Sequence, residues 1–450
     1  MIRHVAIVGA GFAGTLQAVN LLRHHGPCAT LIERATPGEG LAYGAAHPGH
    51  LLNVRAAGMS AFPDQPDHFV RWLEAHGVAG AATSFAPRLT YGAYLRELLE
   101  ATAARAGDRL AIVPGEVVDL ERTGEGVALR LEDGATITAD AAVLAVGNLP
   151  PHDPAGLDPA TLAPPLYFGD PWDKRLTAGL TADDTVLIVG TGLTMVDVAL
   201  ALEASGFSGR IVALSRRGLL PRRHAGGAAD WDRLDERPTA AASALVAEMR
   251  RRADAIGWRQ AVDELQPFTQ SMWRNASADE RARFIRHLRP WWDVHRHRLA
   301  PAVADRIEAM LASGRLRIVA GKTLAFRPAN GGVALTWRRR GADAPETMTV
   351  ARVITCTGPL GDLARAEEPL LRRLVARGLI RPDAQHLGID VDSEARTVAA
   401  DGTSNDDLYA LGPMTRGAFW EIVAVPDIRV QTWTLARRLS NAYWVGGEGL

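Results

Sequence analysis

The chain has 450 residues, 47% of them hydrophobic and 22% charged, with 50 basic residues against 51 acidic ones. That length leaves room for two or three domains, and the near-neutral balance excludes an overall charge field of the kind that draws nucleic acid or membrane. The two cysteines, Cys28 and Cys356, form no CxxC, which excludes a disulfide framework, a cysteine metal site and a dithiol redox centre.

Both cysteines sit in apolar surroundings and read as buried thiols in a reducing compartment. No run reaches the roughly 18 apolar residues that a membrane span needs. The first residues enter a strand at once, with no leader-like pattern. The expectation is a cytoplasmic protein with a small-molecule partner, no nucleic acid and no membrane; nothing in the pattern sets an oligomeric state.

The first element is the apolar run "HVAIV" at 4–8, the signature of a parallel strand covered on both faces. Gly9, Gly11 and Gly14 follow as G-x-G-x-x-G, and a helix opens with Phe12 and Ala13. The next strand, "ATLIE", ends at Glu33, 19 positions after Gly14; about 20 is expected for an acid that holds a ribose. Gly9 permits the tight turn, Gly11 lets a pyrophosphate approach the backbone, and Gly14 lets helix and strand pack closely. The helix N-terminus supplies amide donors and a positive dipole. Arg34 continues this edge of the cofactor site.

Further along, "LEDGATITADAAVLAVGN" at 131–148 reads as a hairpin and then a strand ending at Gly147. The proline-rich stretch 148–173 reads as a linker. A second strand, loop and helix then appear as "TVLIVGTGLTMVD", with Gly190 and Gly192 before Leu193 and Thr194. Met195 stands where a third glycine is expected, a position that faces the strand and not the phosphate. The following strand ends in "SRRG". Ser215, Arg216 and Arg217 offer a hydroxyl and two guanidinium groups in place of an acid, which suits a 2′-phosphate; a solvated basic turn is the alternative. Two loops point to two dinucleotides, FAD at the first and NADPH at the second.

Residues 228–313 are strongly helical and read as an insertion. Within them "LRPWWDVHRHRLAP" places Trp292 and Arg296 on one face, either as a lid over a site or as ordinary helix packing. His295 and His297 are two apart, which a helix does not put on one face, so no metal is expected. After the strand-to-glycine stretch "RVITCTGPLG", the chain ends with "LYALG" and a helix starting near Pro426, where proline is favoured.

The motifs "GAGFAG", "HLLNVRAAGMSAFPD", "PRLTYGAYL", "LAVGN", "GTGLTMVD", "LSRRGLLPRRH", "WDVHRHR" and "LGPMTRGAFWE" resemble those of FAD/NAD(P)-binding proteins related to flavin-containing and N-hydroxylating monooxygenases. The resemblance runs through nearly the whole chain and implies an α/β fold. That fold has two Rossmann-like dinucleotide-binding domains: a discontinuous FAD domain, 1–165 plus 325–450, and an NADPH domain, 180–325, carrying the helical insertion 228–313. It implies NADPH-reduced FAD and, with molecular oxygen, a C4a-(hydro)peroxyflavin that oxygenates a small substrate, possibly an amine. Flavin reductase chemistry with another acceptor, or a non-catalytic redox sensor, are the alternatives. The match also implies that Asn53 lies near the flavin, where an Asx-turn role is equally open, and that Arg55 faces flavin or phosphate or forms a surface pair. Leu52, Met59, Val118, Gly412, Pro413 and Trp420 are expected along the cofactor, with packing the alternative for Met59 and Trp420. Pro413 stands where related flavoproteins carry an aspartate. Arg88 and Tyr91 are expected at the substrate, Arg88 on a carboxylate, with capping or surface pairing as its alternative.

Overall fold

The computed structural model describes residues 2–45, 47–225, 234, 236–238 and 242–440. Part of the helical insertion expected at 228–313, and the end of the chain from 441, lie outside the described residues. Two sheets organise the rest.

The first sheet has six strands in the order Arg396–Val398, Ser404–Ala410, Ala141–Leu144, His4–Val8, Cys28–Glu33 and Leu110–Pro114. All but the Arg396–Val398 edge run parallel. The sheet therefore joins the beginning of the chain to its last third. Parallel strands need cover on both faces, and His4–Val8 has it: Val5 and Ile7 enter one apolar cluster, Ala6 and Val8 another. A three-stranded antiparallel sheet, Val117–Thr123, Gly126–Leu131 and Thr136–Ala139, includes the expected hairpin.

The second sheet has seven strands with Thr185–Val189 between Arg210–Ser215 and Arg352–Thr355, all three parallel. Arg210–Ser215 pairs with the long strand Leu316–Ala329, which continues into an antiparallel meander with Gly332–Arg339 and Glu346–Val350. Between these two neighbours lie six described helices, from Ala242–Ile256 to Pro301–Ala312. The last of them is the ordinary crossover helix of the unit: Val303, Ala304, Ile307 and Met310 pack into the second core. The helices from 242 to 296 form the insertion proper. They reach across to the first unit, where Trp273, Phe284, Ile285 and Trp292 pack with Leu387 and Trp420.

Candidate dinucleotide sites and a cleft at the C-terminal helix

The two glycine loops are built alike. Gly9 N–H donates to Ile32 C=O at 2.8 Å, and Gly190 N–H donates to Leu214 C=O at 2.8 Å. Ala145 N–H donates to Val8 C=O, and Cys356 N–H to Val189 C=O. Gly9 has φ +97° and Gly190 φ +127°, values that side-chain-bearing residues rarely adopt. A Cβ at Gly9 would collide with the Ala145 carbonyl, and one at Gly190 with the Cys356 carbonyl. Each first glycine is thus jammed beneath the end of a neighbouring parallel strand, in "LAVGN" and in "TCTGP".

The second glycines face open space. A Cβ at Gly192 would meet nothing within 4 Å, and one at Gly11 only the Gly40 Cα at 3.7 Å. The helices that follow, Phe12–Arg23 and Leu193–Ala204, have no side-chain cap. Their first amides, at Phe12 and Ala13 and at Leu193 and Thr194, are free of side-chain acceptors, the condition a helix N-terminus needs to take a phosphate. Both cradles fit a dinucleotide pyrophosphate. Gly14 keeps the first helix close, since a Cβ there would strike the Gly9 carbonyl. Met195, its counterpart, is fully buried in the second core.

Around the first loop, Glu33 accepts from the amides of Ala10 at 2.6 Å and Ala35 at 3.0 Å. Its carboxylate therefore sits over the loop with lone pairs left for a ribose. Gly412, at the end of Ser404–Ala410, approaches Ala13 closely. Its amide donates to Gln431 Oε1 at 2.9 Å, and Gln431 Nε2 donates to Thr415 Oγ1. Pro413 follows in a short 3₁₀ turn. Leu52 and Met59 are buried in the first core, and Gly147 lies just past the strand end over Gly9. Arg34 turns outward and pairs with Glu116. Val118 lies on the antiparallel sheet, its carbonyl held by Arg373.

Several expected ligand-facing residues are committed elsewhere. Arg88 binds a carboxylate, but it is that of Asp197 in the second unit, at 2.9 Å. Tyr91 is fully buried, its hydroxyl donating to the Met59 carbonyl, because its helix position faces the aromatic core and not a cleft. Arg55 donates to the carbonyls of Thr83 and Ala225 and lies over Phe85, so it is a clasp between segments. Asn53 differs: among the described residues only its backbone carbonyl is engaged, accepting from His224 Nε2 at 2.9 Å. Ser215 Oγ bonds Thr191 Oγ1 and accepts from Gly218 N–H, shaping the turn. Arg217 donates to the carbonyls of Arg286 and His287 in the insertion. Only Arg216 of that turn is exposed.

The tryptophan helix Arg289–Arg296 meets the loop before the C-terminal helix, Val425–Leu439. Trp292 Nε1 donates to Glu421 Oε1 at 2.8 Å, and Arg296 Nε lies 3.4 Å from Glu421 Oε2. Trp420 stacks on Trp273 with centroids 4.6 Å apart, and Phe284 meets it edge-on. Its ring is thus covered by the insertion. Glu421 is buried and has φ +69°, a backbone strain of the kind found at functional sites.

Next to this junction, Asp427 lines a cleft of about 340 Å³ with Gln266, Gln270, Ser271 and Arg274. Asp427 Oδ2 is buried with no hydrogen-bond partner among the described residues. Burial pushes its carboxyl up to about 6, while nearby Arg296 and Arg429 favour the charged form and Glu421 opposes it. Sequence reading passed over Asp427; the only signal was an acid in the first turn of a helix that starts with a proline. Among the described residues no cluster of His, Cys, Asp and Glu could hold a metal, and no helix is long and apolar enough to cross a membrane.

Residues 6–149 match a protein-family model described as FAD-NAD(P)-binding. No curated protein matches the chain in sequence. Among solved structures, L-lysine 6-monooxygenase from Pseudomonas syringae is similar with a TM-score of 0.67 at 15% identity, over 99% of this chain and 100% of that one. Ornithine hydroxylase from Pseudomonas aeruginosa gives 0.66 at 15%, over 98% and 99%. Thioredoxin reductase from T. acidophilum gives 0.54 at 14%, over the same shares. The shared property at these identities is the fold. Residues 6–149 thus carry a FAD-NAD(P)-binding segment, and the chain as a whole shares the fold of these solved structures.

Proposed function

We propose that the chain is a FAD-dependent monooxygenase that draws hydride from NADPH and oxygenates a small substrate at an amine nitrogen. The observation that carries it is the pair of equivalent glycine cradles in one fold, which calls for two dinucleotides in one enzyme. When bound, the flavin supplies hydride acceptance and oxygen activation. The chain's own residues bind and orient. In this reading Gly9–Gly14 and Glu33 hold the first dinucleotide, and Gly190, Gly192, Leu193 and Thr194 hold the second. Arg216 is the free guanidinium that meets a 2′-phosphate. The FAD unit is 1–165 with 356–450 and the NADPH unit 167–355, later than the expected break at 325, because Gly332–Arg339, Glu346–Val350 and Arg352–Thr355 all belong to the second sheet.

The amine follows from Asp427. A carboxyl at a cleft with one buried, unpartnered oxygen, its affinity for a proton raised by burial, suits an ammonium group: it pairs with the cation, and it can take the proton that an amine must shed before its nitrogen lone pair is available.

The test is to record the flavin spectrum, reduce the protein anaerobically with NADPH, then admit oxygen with and without a panel of primary amines. Hydroxylated amine in the products supports the reading. Reduction by NADPH with electrons delivered only to another acceptor replaces it by a flavin reductase. Asp427→Asn should raise KM for the amine on the order of tenfold or more and leave reduction by NADPH unchanged.

A further inference from the structure

Asp197 closes the second-loop motif "GTGLTMVD", and nothing in dinucleotide binding calls for an acid there. Its side chain meets the first unit. Arg88 Nη1 lies 2.9 Å from Asp197 Oδ2, and Arg88 Nη2 donates to Asp197 Oδ1 at 3.3 Å. Arg88 Nε donates to the Leu51 carbonyl at 3.3 Å. His50 Nε2 meets the Asp197 backbone carbonyl at 2.9 Å, while His50 Nδ1 accepts from the His47 amide. His50 therefore presents its N–H to Asp197. Asp197 and His50 are both buried, and Leu51 and Phe85 pack on the second core beside them.

The elements joined in this way are the two that carry the cradles. Asp197 sits one turn into Leu193–Ala204, the helix whose N-terminus faces the second dinucleotide. Arg88 is the first residue of Arg88–Ala106. One turn along that helix, Tyr91 lies against Phe12, with ring centroids 6.1 Å apart, and Phe12 opens the helix of the first cradle. The path from one phosphate site to the other is thus short and made of a paired guanidinium fork, one helical turn and one aromatic contact. A bidentate fork sets orientation as well as distance.

We propose that Arg88, Asp197 and His50 form a pin that fixes the two cradles in one relation, so that hydride passes between the dinucleotides without rotation of one unit against the other. Arg88 and Asp197 are positioning residues in this scheme, acting through the helices they hold. The proposal rests on the reading of both loops as dinucleotide sites.

The experiment is anaerobic stopped-flow reduction of the FAD-loaded protein by NADPH, comparing wild type, Asp197→Asn and Arg88→Lys. Asparagine keeps the shape without the charge; lysine keeps the charge without the fork. The limiting reduction rate should fall on the order of 10- to 100-fold in both. NADPH affinity, FAD content and oxygen reoxidation of dithionite-reduced protein should stay near wild type. An unchanged limiting rate in FAD-loaded variants overturns the pin. A second measurement does not depend on the variants folding. Spin labels at Ile112→Cys and Leu324→Cys, exposed positions on the first and second sheets, in a Cys28→Ser background report the distance between the units. One distance population, unmoved by NADPH, supports the pin; a second population on adding NADPH overturns it. Wild type that NADPH fails to reduce refutes the two-dinucleotide reading instead; the labels without nucleotide then test the pin, a single distance that broadens in Asp197→Asn supporting it and an unchanged distribution overturning it.

Discussion

The two cradles share a backbone and differ in what their second strands present. In the first, the Ala10 amide is bonded to the Glu33 carboxylate. In the second, Thr191 Oγ1 bonds Ser215 Oγ and donates to the Leu219 carbonyl at 2.6 Å. The first loop thus closes on a charge that a ribose hydroxyl can share. The second closes on neutral groups and leaves its one exposed guanidinium, Arg216, beyond the turn. The difference teaches that the phosphate cradle is generic and set by glycines, whereas selectivity lies in the strand-end side chains some 20 residues on.

Breaking the cradles should separate the two roles. We expect Gly9→Ala to abolish FAD binding, since it adds a strained φ and a collision with the Ala145 carbonyl, together costing about 3 kcal/mol or more. Gly190→Ala should retain FAD and lose reduction by NADPH. Flavin-to-protein absorbance ratios and stopped-flow reduction distinguish these outcomes; FAD loss from Gly190→Ala would reverse the assignment. Met195→Gly restores the motif's third glycine and is the next largest effect. It empties a fully buried position, so it should destabilise by about 3–5 kcal/mol in urea unfolding, against any expectation from motif matching that it improves the loop.

The strand ends give a smaller effect. Arg216→Ala should weaken NADPH by about 1–3 kcal/mol, or roughly 10- to 100-fold, and spare NADH, as read by titration. Arg217→Ala should alter NADPH affinity less, because its guanidinium holds the Arg286 and His287 carbonyls. An Arg217→Ala loss confined to NADPH would reverse that ranking.

The smallest effect concerns the acid of the second helix. Burial pushes the Asp197 carboxyl up to about 6 although Arg88 pulls it down. A raised acid favours the folded state when protonated, so its stability contribution is full below the ordinary value near 4 and is lost as pH rises through about 6. Going from pH 7 to pH 5, wild type should therefore gain on the order of 1 kcal/mol relative to Asp197→Asn in urea unfolding. The groups around it are Arg88, His50 and the Cys356 thiol; burial holds His50 down to about 4, which keeps it neutral across this range. Flavin reduction should respond oppositely, slowing as pH falls through about 6, because only the carboxylate pairs with the Arg88 fork. A difference in urea midpoint that shrinks on acidification would show that Arg88 dominates burial.

Legibility followed sequence distance. "HVAIVGAGFAG" and "TVLIVGTGLTMVD" each contain strand, turn and helix within about 20 residues, so local periodicity and glycine spacing were enough to place both cradles and the strands beside them. Arg88 shows where such reading stops. A carboxylate partner was the right chemistry, but the partner lies 109 residues away in the other unit, and no local pattern points to it. Trp292, Arg296 and Trp420 were each visible as unusual residues; that Glu421 gathers the first two at its carboxylate, while its neighbour Trp420 stacks on the insertion, depends on the insertion reaching across to the first unit. Tyr91 and Arg217 failed for the same reason, one turned into the core and the other spent on carbonyls of a helix some 70 residues on.

By itself the sequence determined the α/β class, the two cradles and the acid-versus-arginine contrast at their strand ends, because these are set by backbone conformations that only glycine adopts and by side chains at fixed spacing from them. Tertiary structure alone decided which charged groups are free and which are used internally. Asp427 keeps one buried oxygen unpartnered at a cleft, while Arg88 and Arg55 are consumed in holding the units together and Arg217 in holding the insertion to its own unit. A charged side chain's availability depends on every group within hydrogen-bond reach, and in a chain folded from two interleaved units those groups come from segments far apart in sequence.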